Sequence, residues 1–196
     1  ASGDGHVAAG AGADFDIGSE AKSEFNERSA PSERSNMVQG TSLVAIIYKT
    51  DHELPFTAPK GTPEYDPRTW EDSFGFYAER KANGTGWFSP DEPVGTLRFL
   101  YFTEAGGDMD TIGEDGEIYE KLLKQAWAFW DFVKNGPERD IMTNWDMIWI
   151  SPKAGKRESR RFFGDVILTQ TDLESGRIFE DDIAFGGHDL DDHRAY

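Results

Sequence analysis

A short basic run near the end of the chain carries the residues best suited to chemistry. The segment GKRESRRFFGD, residues 155–165, stands out because the chain holds 37 acidic and only 20 basic residues. Its three arginines are Arg157, Arg160 and Arg161. Guanidinium groups bind carboxylate or phosphate oxygens through paired hydrogen bonds, and three of them together repel one another unless anions lie among them. Those anions are either carboxylates of the protein, which would hold loops together, or groups of a substrate or cofactor.

A second group of polar residues lies in the acidic tail, where His188 and His193 stand among aspartates. Imidazole and carboxylate groups can bind a divalent metal. Their spacing matches no metal-binding signature, and a solvated acidic loop with a structural histidine is the favoured interpretation. The segment 104–117 superficially resembles a calcium loop, but it lacks the acidic spacing and closing glutamate of that motif. The sequence therefore predicts no metal site.

Composition and missing motifs exclude several classes of function. The formal net charge of −17 disfavours binding to nucleic acid and to anionic membrane surfaces. The absence of cysteine excludes disulfides, thiolate nucleophiles and cysteine-ligated zinc. The sequence has no P-loop, no nucleophile elbow and no dinucleotide-binding fingerprint with its acidic partner. No apolar run approaches the ~20 residues that span a bilayer, so we expect a soluble protein, cytoplasmic or exported.

The elements that must position the basic run form an α+β pattern, a mainly antiparallel sheet with one long amphipathic helix. Apolar residues recur every three or four positions over 116–136 and predict that helix. A short helix is expected over 6–15, and a last one over 169–176, capped by Thr171 or Asp172. The predicted strands cover 41–50, 73–80, 95–108, 145–151 and 161–169.

Three segments, taken in order, give the chain a family resemblance. They are SGDGHVAAGAGADFDIGSEAKSEFNE, EAGGDMDTIGEDGEIYEKLLKQAWAFWDFVKN and GKRESRRFFGDVILTQTDLESGRIFEDDIAFGGHDLDDH. Together they resemble bacterial FAD-dependent oxidoreductases of the type found alongside xanthan-lyase-like proteins. The resemblance covers nearly the whole chain, and the last segment is the most specific because its motif is long and gapped in a fixed way.

The resemblance implies how the chain would meet its cofactor. In such flavoproteins a small-residue loop of the ATGDG kind approaches the dinucleotide, and ASGDG looks like that loop, with Ser2 in place of the usual threonine. Small residues suit this position because a larger side chain would collide with the cofactor. The FAD-binding residues that the resemblance implies are Ser2, Gly3, Asp4, Gly5, Arg160 and Arg161.

The resemblance also implies that the chain is a piece of a longer protein. Residues 1–20 would be a remnant of the dinucleotide-binding domain, and residues 21–196 would form the substrate, or cap, domain. The expected partners are the flavin-binding domain of the same parent chain and a small-molecule substrate, with no nucleic acid and no membrane. Because most of the surface that encloses FAD would lie elsewhere, we expect this chain alone to bind FAD weakly or not at all.

The activity implied by the resemblance is hydride transfer between a small, sugar-like substrate and the flavin. The expected catalytic residues are His188 and His193, as proton acceptors near neutral pH, and Arg157, facing the flavin or the substrate. At His188 relatives often have an aromatic residue instead. Two other functions stay open. One is a non-enzymatic carbohydrate- or protein-binding module whose surface is formed by the six tryptophans and the proline-rich segment 51–72. The other is a metal-dependent hydrolase that uses the histidines and aspartates of the tail.

Overall fold

The computed structural model describes residues 3–65, 94–96, 103–136, 139–184 and 186. Within them the helices are α1 (His6–Gly10), α2 (Lys22–Phe25), α3 (Asp115–Asn135), α4 (Arg139–Met142) and α5 (Gln170–Ser175). The strands are β1 (Phe15–Asp16), β2 (Ala45–Lys49), β3 (Val94–Thr96), β4 (Trp145–Ile150) and β5 (Arg161–Phe162). This mixture of helices and small antiparallel sheets confirms the α+β class. The strand predicted over 73–80 lies outside the described residues, as does much of the one predicted over 95–108.

Packing divides the chain into two compact units. Unit 1 comprises Ala1–Gly40, Gly107–Ile112 and Arg157–Tyr196, and unit 2 comprises Thr41–Gly106 and Gly113–Lys156. The chain therefore passes between the units more than once. The units reflect packing and not cofactor or substrate roles, so the predicted domain boundary at residue 20 stays a prediction.

Unit 2 contains a three-stranded antiparallel sheet in the order β3-β2-β4. Leu43, Ala45 and Ile47 alternate along the chain and are buried, which gives β2 its inward face. The ladder between β2 and β4 is irregular at Ile47, where Ile148 is an extra residue of β4. Strands β2 and β4 confirm the sequence predictions for these two segments.

Helix α3 of unit 2 confirms the long amphipathic helix within one residue at each end. Six of its seven buried apolar residues recur at the predicted spacing of three and four: Ile118, Leu122, Ala126, Phe129, Trp130 and Val133. Gly136 ends the helix, and its N–H donates to the carbonyl oxygen of Phe132 at 2.9 Å. None of the described helices is long and apolar enough to cross a membrane.

Lys134, in the last turn of α3, is a buried cation of unit 2. Its Nζ donates to the carbonyl oxygens of Met142, Thr143 and Trp145 at 3.0, 3.2 and 2.7 Å. Burial lowers the pKa of Lys134, and the carboxylate of Asp146 opposes that shift. The three carbonyl contacts tie the end of α3 to the segment that leads from α4 into β4.

Unit 1 contains a two-stranded antiparallel ribbon in which β1 pairs with β5. Phe15 lies opposite Phe162, and their rings meet edge to face with centroids 5.7 Å apart. The predicted strand over 161–169 is wrong beyond Phe162, because only the first two residues join a ladder. The following apolar residues, Val166 and Leu168, are 59% and 61% exposed.

Helix α5 of unit 1 confirms the last predicted helix but not its predicted cap. The N-cap is Thr169, whose side chain accepts a hydrogen bond from the N–H of Asp172. The Asp172 carboxylate in turn accepts from the N–H of Thr169 at 3.1 Å, which completes a capping box. Thr171 and Asp172 thus lie inside the helix, and the prediction that one of them caps it is wrong.

Candidate functional site

The turn at Gly3, Asp4 and Gly5 opens unit 1 and leads into α1. Gly3 and Gly5 have φ angles of +53° and +69°, a left-handed conformation that glycine adopts without strain. At Gly3, leaving aside the glycine and its chain neighbours, no heavy atom of the described residues lies within 4 Å of the position that a Cβ would occupy. At Gly5, which is buried, a Cβ would lie 2.6 Å from Cζ of Phe162. The first glycine therefore leaves an open backbone surface, and the second lets the turn pack on the ribbon.

Arg160, in the basic run, contacts this turn although the two are 156 positions apart in the sequence. Its Nη1 donates to the carbonyl oxygen of Asp4 at 2.8 Å and lies 3.4 Å from Nδ1 of His6. The guanidinium carbon lies 5.1 Å from the ring centroid of Phe15, a cation–π distance. The Nε of Arg160 is buried and has no hydrogen-bond partner in the part of the chain that the structure describes. The N–H at this position therefore has no protein acceptor among the described residues.

The other two arginines of the run also belong to unit 1. Nη1 of Arg161 donates to Oε1 of Glu20 at 2.5 Å in an ion pair between half-buried groups. This is the pairing with a protein carboxylate that the sequence left open for each arginine. Arg157 is half-buried as well. No described contact tests whether Arg157 or Arg161 binds cofactor or substrate, so these roles stay predictions.

The remaining site residues predicted from the sequence, Ser2, His188 and His193, lie outside the described residues. Within the described ranges no group of three or more histidine, aspartate and glutamate side chains is arranged to hold a metal ion. The structure therefore brings Gly3, Asp4 and Gly5 together with Arg160 but says nothing of the expected proton acceptors.

Sequence reasoning missed the residues that hold Arg160 and Arg161 in place. Phe15 lies beside the guanidinium of Arg160, Glu20 pairs with Arg161, and Phe15 packs against Phe162 across the β1–β5 ribbon. The only local sign of this contact in the sequence is a phenylalanine, Phe15 or Phe162, directly after a polar or basic residue. Because β1 and β5 are each two residues long, their sequences contain no periodic pattern that would predict the pairing of the two strands.

A pocket of about 320 Å³ lies within unit 1, between the segment 19–31 and the segment 161–173. Arg161 and Glu20 belong to its wall, and so does Glu27. The volume falls in the range of small-molecule sites, which begins at roughly 300 Å³. The pocket involves no residue of the Gly3–Gly5 turn, so it is a second feature of the unit.

A family model described as FAD dependent oxidoreductase matches residues 1–196, the whole of this chain. No curated protein and no solved structure matches the chain significantly.

Proposed function

This chain belongs to the FAD dependent oxidoreductase family, and from that premise we propose that it is the substrate-domain portion of a flavoprotein. Membership links the chain to flavin-dependent redox chemistry. The flavin, when bound, accepts or supplies a hydride, and the protein supplies position and electrostatics. The proposed parent is a bacterial enzyme of the xanthan-lyase-associated type that acts on a small, sugar-like substrate.

The observation that carries the proposal is the contact between Arg160 and the Gly3–Gly5 turn. A dinucleotide needs bare backbone for close approach and a cation for its phosphates. Gly3 supplies an open left-handed glycine, and the buried Nε of Arg160 supplies an N–H without a protein acceptor among the described residues. These features fit one edge of an FAD site, in which Gly3, Asp4, Gly5 and Arg160 would hold the nucleotide.

Exposed apolar residues in the same unit support a partner domain. Val166 and Leu168 are 59% and 61% exposed, and Ile167 between them is 42% exposed. Three consecutive exposed aliphatic residues are unusual on a free surface and typical of a contact region. We expect them to pack against the flavin-binding domain of the parent chain, which would also cover Arg157.

The remaining roles concern the substrate. Oxidation of an alcohol removes a hydride from carbon and a proton from oxygen, and the proton needs a base that works near neutral pH. His188 and His193 are the proposed proton acceptors. Arg157 would orient the oxygen atoms of the substrate by charge-assisted hydrogen bonds.

Flavin content and turnover of the parent enzyme test this proposal. Arg160→Ala removes the guanidinium beside the turn, and Arg157→Ala removes the expected substrate contact. Arg28→Ala is the matched control, because Arg28 belongs to the same unit and makes an exposed ion pair with Glu174 at 2.9 Å. We expect Arg160→Ala to lower flavin absorbance per protein, Arg157→Ala to lower turnover, and the control to do neither. Wild-type flavin content and turnover in both test variants would refute the proposal.

The alternative of a non-enzymatic carbohydrate- or protein-binding module is favoured by one surface of unit 2. Tyr48 and Trp149 lie on neighbouring strands of the sheet and are 40% and 44% exposed. Exposed aromatic rings stack on sugars and anchor protein interfaces. Trp149→Ala would abolish ligand binding by such a module and leave the flavin content of the parent unchanged, which separates the two functions.

A further inference from the structure

The lining of the pocket in unit 1 combines apolar side chains with three ionisable side chains, whose charges do not cancel. Its apolar residues are Phe25, Ala30, Pro31, Ile167, Leu168 and Leu173. Its ionisable residues are Glu20, Glu27 and Arg161. Arg161 and Glu20 neutralise each other in their ion pair, so the lining retains the single negative charge of Glu27.

Glu27 is held in place on one side only. Its Oε1 accepts a hydrogen bond from the N–H of Gln170 at 2.6 Å, and Gln170 is itself buried. The Gln170 side chain is occupied by Ser29 and Glu174, which fixes this part of the wall. Glu27 is half-buried and pairs with no lysine, arginine or histidine among the residues that the structure describes. A partly desolvated carboxylate without a counterion is costly, and a cation that reaches it is bound with charge assistance.

We infer that this pocket binds a small organic cation, an ammonium group on an apolar body. The ammonium would contact the carboxylate of Glu27, and the body would lie against Phe25 and the exposed side chain of Leu173. The negative lining disfavours carboxylates and phosphates, and a neutral polyol would leave the charge of Glu27 uncompensated. The inference uses neither the turn nor Arg160. Ile167 and Leu168 line the pocket and also belong to the surface proposed to meet the flavin-binding domain, so the inference concerns the 196-residue chain by itself.

A series of probes with one shape and three charges tests the inference. Benzylammonium, benzyl alcohol and benzoate are titrated into the full 196-residue chain, and binding is followed by calorimetry and by amide chemical shifts. We expect benzylammonium to bind at least about tenfold more tightly than benzyl alcohol, a difference of about 1.4 kcal/mol. Benzoate should bind more weakly than either, the shifts should centre on Gln170, and salt should weaken only the binding of the cation.

The decisive variant is Glu27→Gln, which keeps an oxygen that can accept from the Gln170 N–H but removes the charge. We expect it to reduce the preference for benzylammonium over benzyl alcohol to nearly one. Glu33→Gln is the matched control, since Glu33 is exposed in the same unit and outside the pocket. Equal binding of cation and alcohol by the wild type, an unchanged preference in Glu27→Gln, or no binding of any probe would each overturn the inference. Thermal unfolding of the variants separates loss of the site from loss of the fold.

Discussion

Gly3 and Gly5 have the same backbone conformation but different surroundings, so one substitution at each position separates two physical effects. Both have positive φ angles, and alanine at either position would bear the left-handed penalty of roughly 1–2 kcal/mol. Only at Gly5 would the new Cβ also overlap the Phe162 ring, at 2.6 Å from Cζ. Overpacking of this kind costs about 1–3 kcal/mol. We therefore expect Gly3→Ala to lower the free energy of unfolding by about 1–2 kcal/mol and Gly5→Ala by about 2–5 kcal/mol.

The assay must report on unit 1. The described tryptophans, Trp127, Trp130, Trp145 and Trp149, all belong to unit 2, so tryptophan fluorescence reports on that unit. Urea unfolding is better followed by hydrogen exchange of the amides of α1 and β1. The double variant Gly5→Ala/Phe162→Leu should recover at least about 0.5 kcal/mol of the loss, since it removes the ring that the Cβ meets. Equal costs for the two glycine variants, with no recovery in the double variant, would refute the packing of the turn on the ribbon.

Three further predictions concern charged or phenolic groups. In a urea titration, Lys134→Met should lower the free energy of unfolding by about 2 kcal/mol or more, because three carbonyl oxygens lose a buried donor. The control is Lys121→Met, at an exposed site of the same helix, which should change that free energy little. The guanidinium of Arg177 holds the pKa of Asp172 below its ordinary value of 3.8. The ionised carboxylate therefore stabilises the fold fully above pH 3.8, and this stabilisation is lost as the pH falls through the lower pKa of the folded state. Asp172→Asn should therefore unfold more easily than wild type at neutral pH, with the difference vanishing in acid; a constant difference would contradict the assignment. Burial raises the pKa of Tyr65 to about 12, and the ultraviolet titration of wild type minus Tyr65→Phe should show a phenol near that value rather than near its ordinary 10.0.

The sequence predicts elements well where the periodic pattern is long. Helix α3 has six apolar positions at helical spacing, and strands β2 and β4 combine β-branched and aromatic residues, so local pattern and burial agree. The segment after Phe162 is apolar enough for a strand but has none. A strand needs a partner for its backbone groups, and the partner of β5 is only two residues long. The composition of the segment does not reveal how short its partner strand is.

Only part of the candidate site could be predicted from the sequence, because local composition does not reveal which distant segments meet. The glycine-rich turn and the arginine run are visible in the sequence, and the structure places Arg160 at the carbonyl oxygen of Asp4. The ion pair of Arg161 with Glu20 and the pocket beside it join residues about 140 positions apart, as in the 141-residue separation of that pair. Such pairings depend on the fold and leave no periodic signal. The cap at Thr169 was missed because two threonines compete within the same short segment.

Hydrogen exchange of the parent flavoprotein, with its flavin bound and after the flavin has been removed, tests the central claim most directly. If the turn at Gly3–Gly5 and Arg160 form one edge of the flavin site, bound flavin should slow exchange in the peptide that contains the turn. The peptide that spans Lys134 should be unaffected, because that lysine is already satisfied by carbonyl oxygens within unit 2. Equal exchange at the turn with and without flavin, in a protein shown to bind it, would contradict the account.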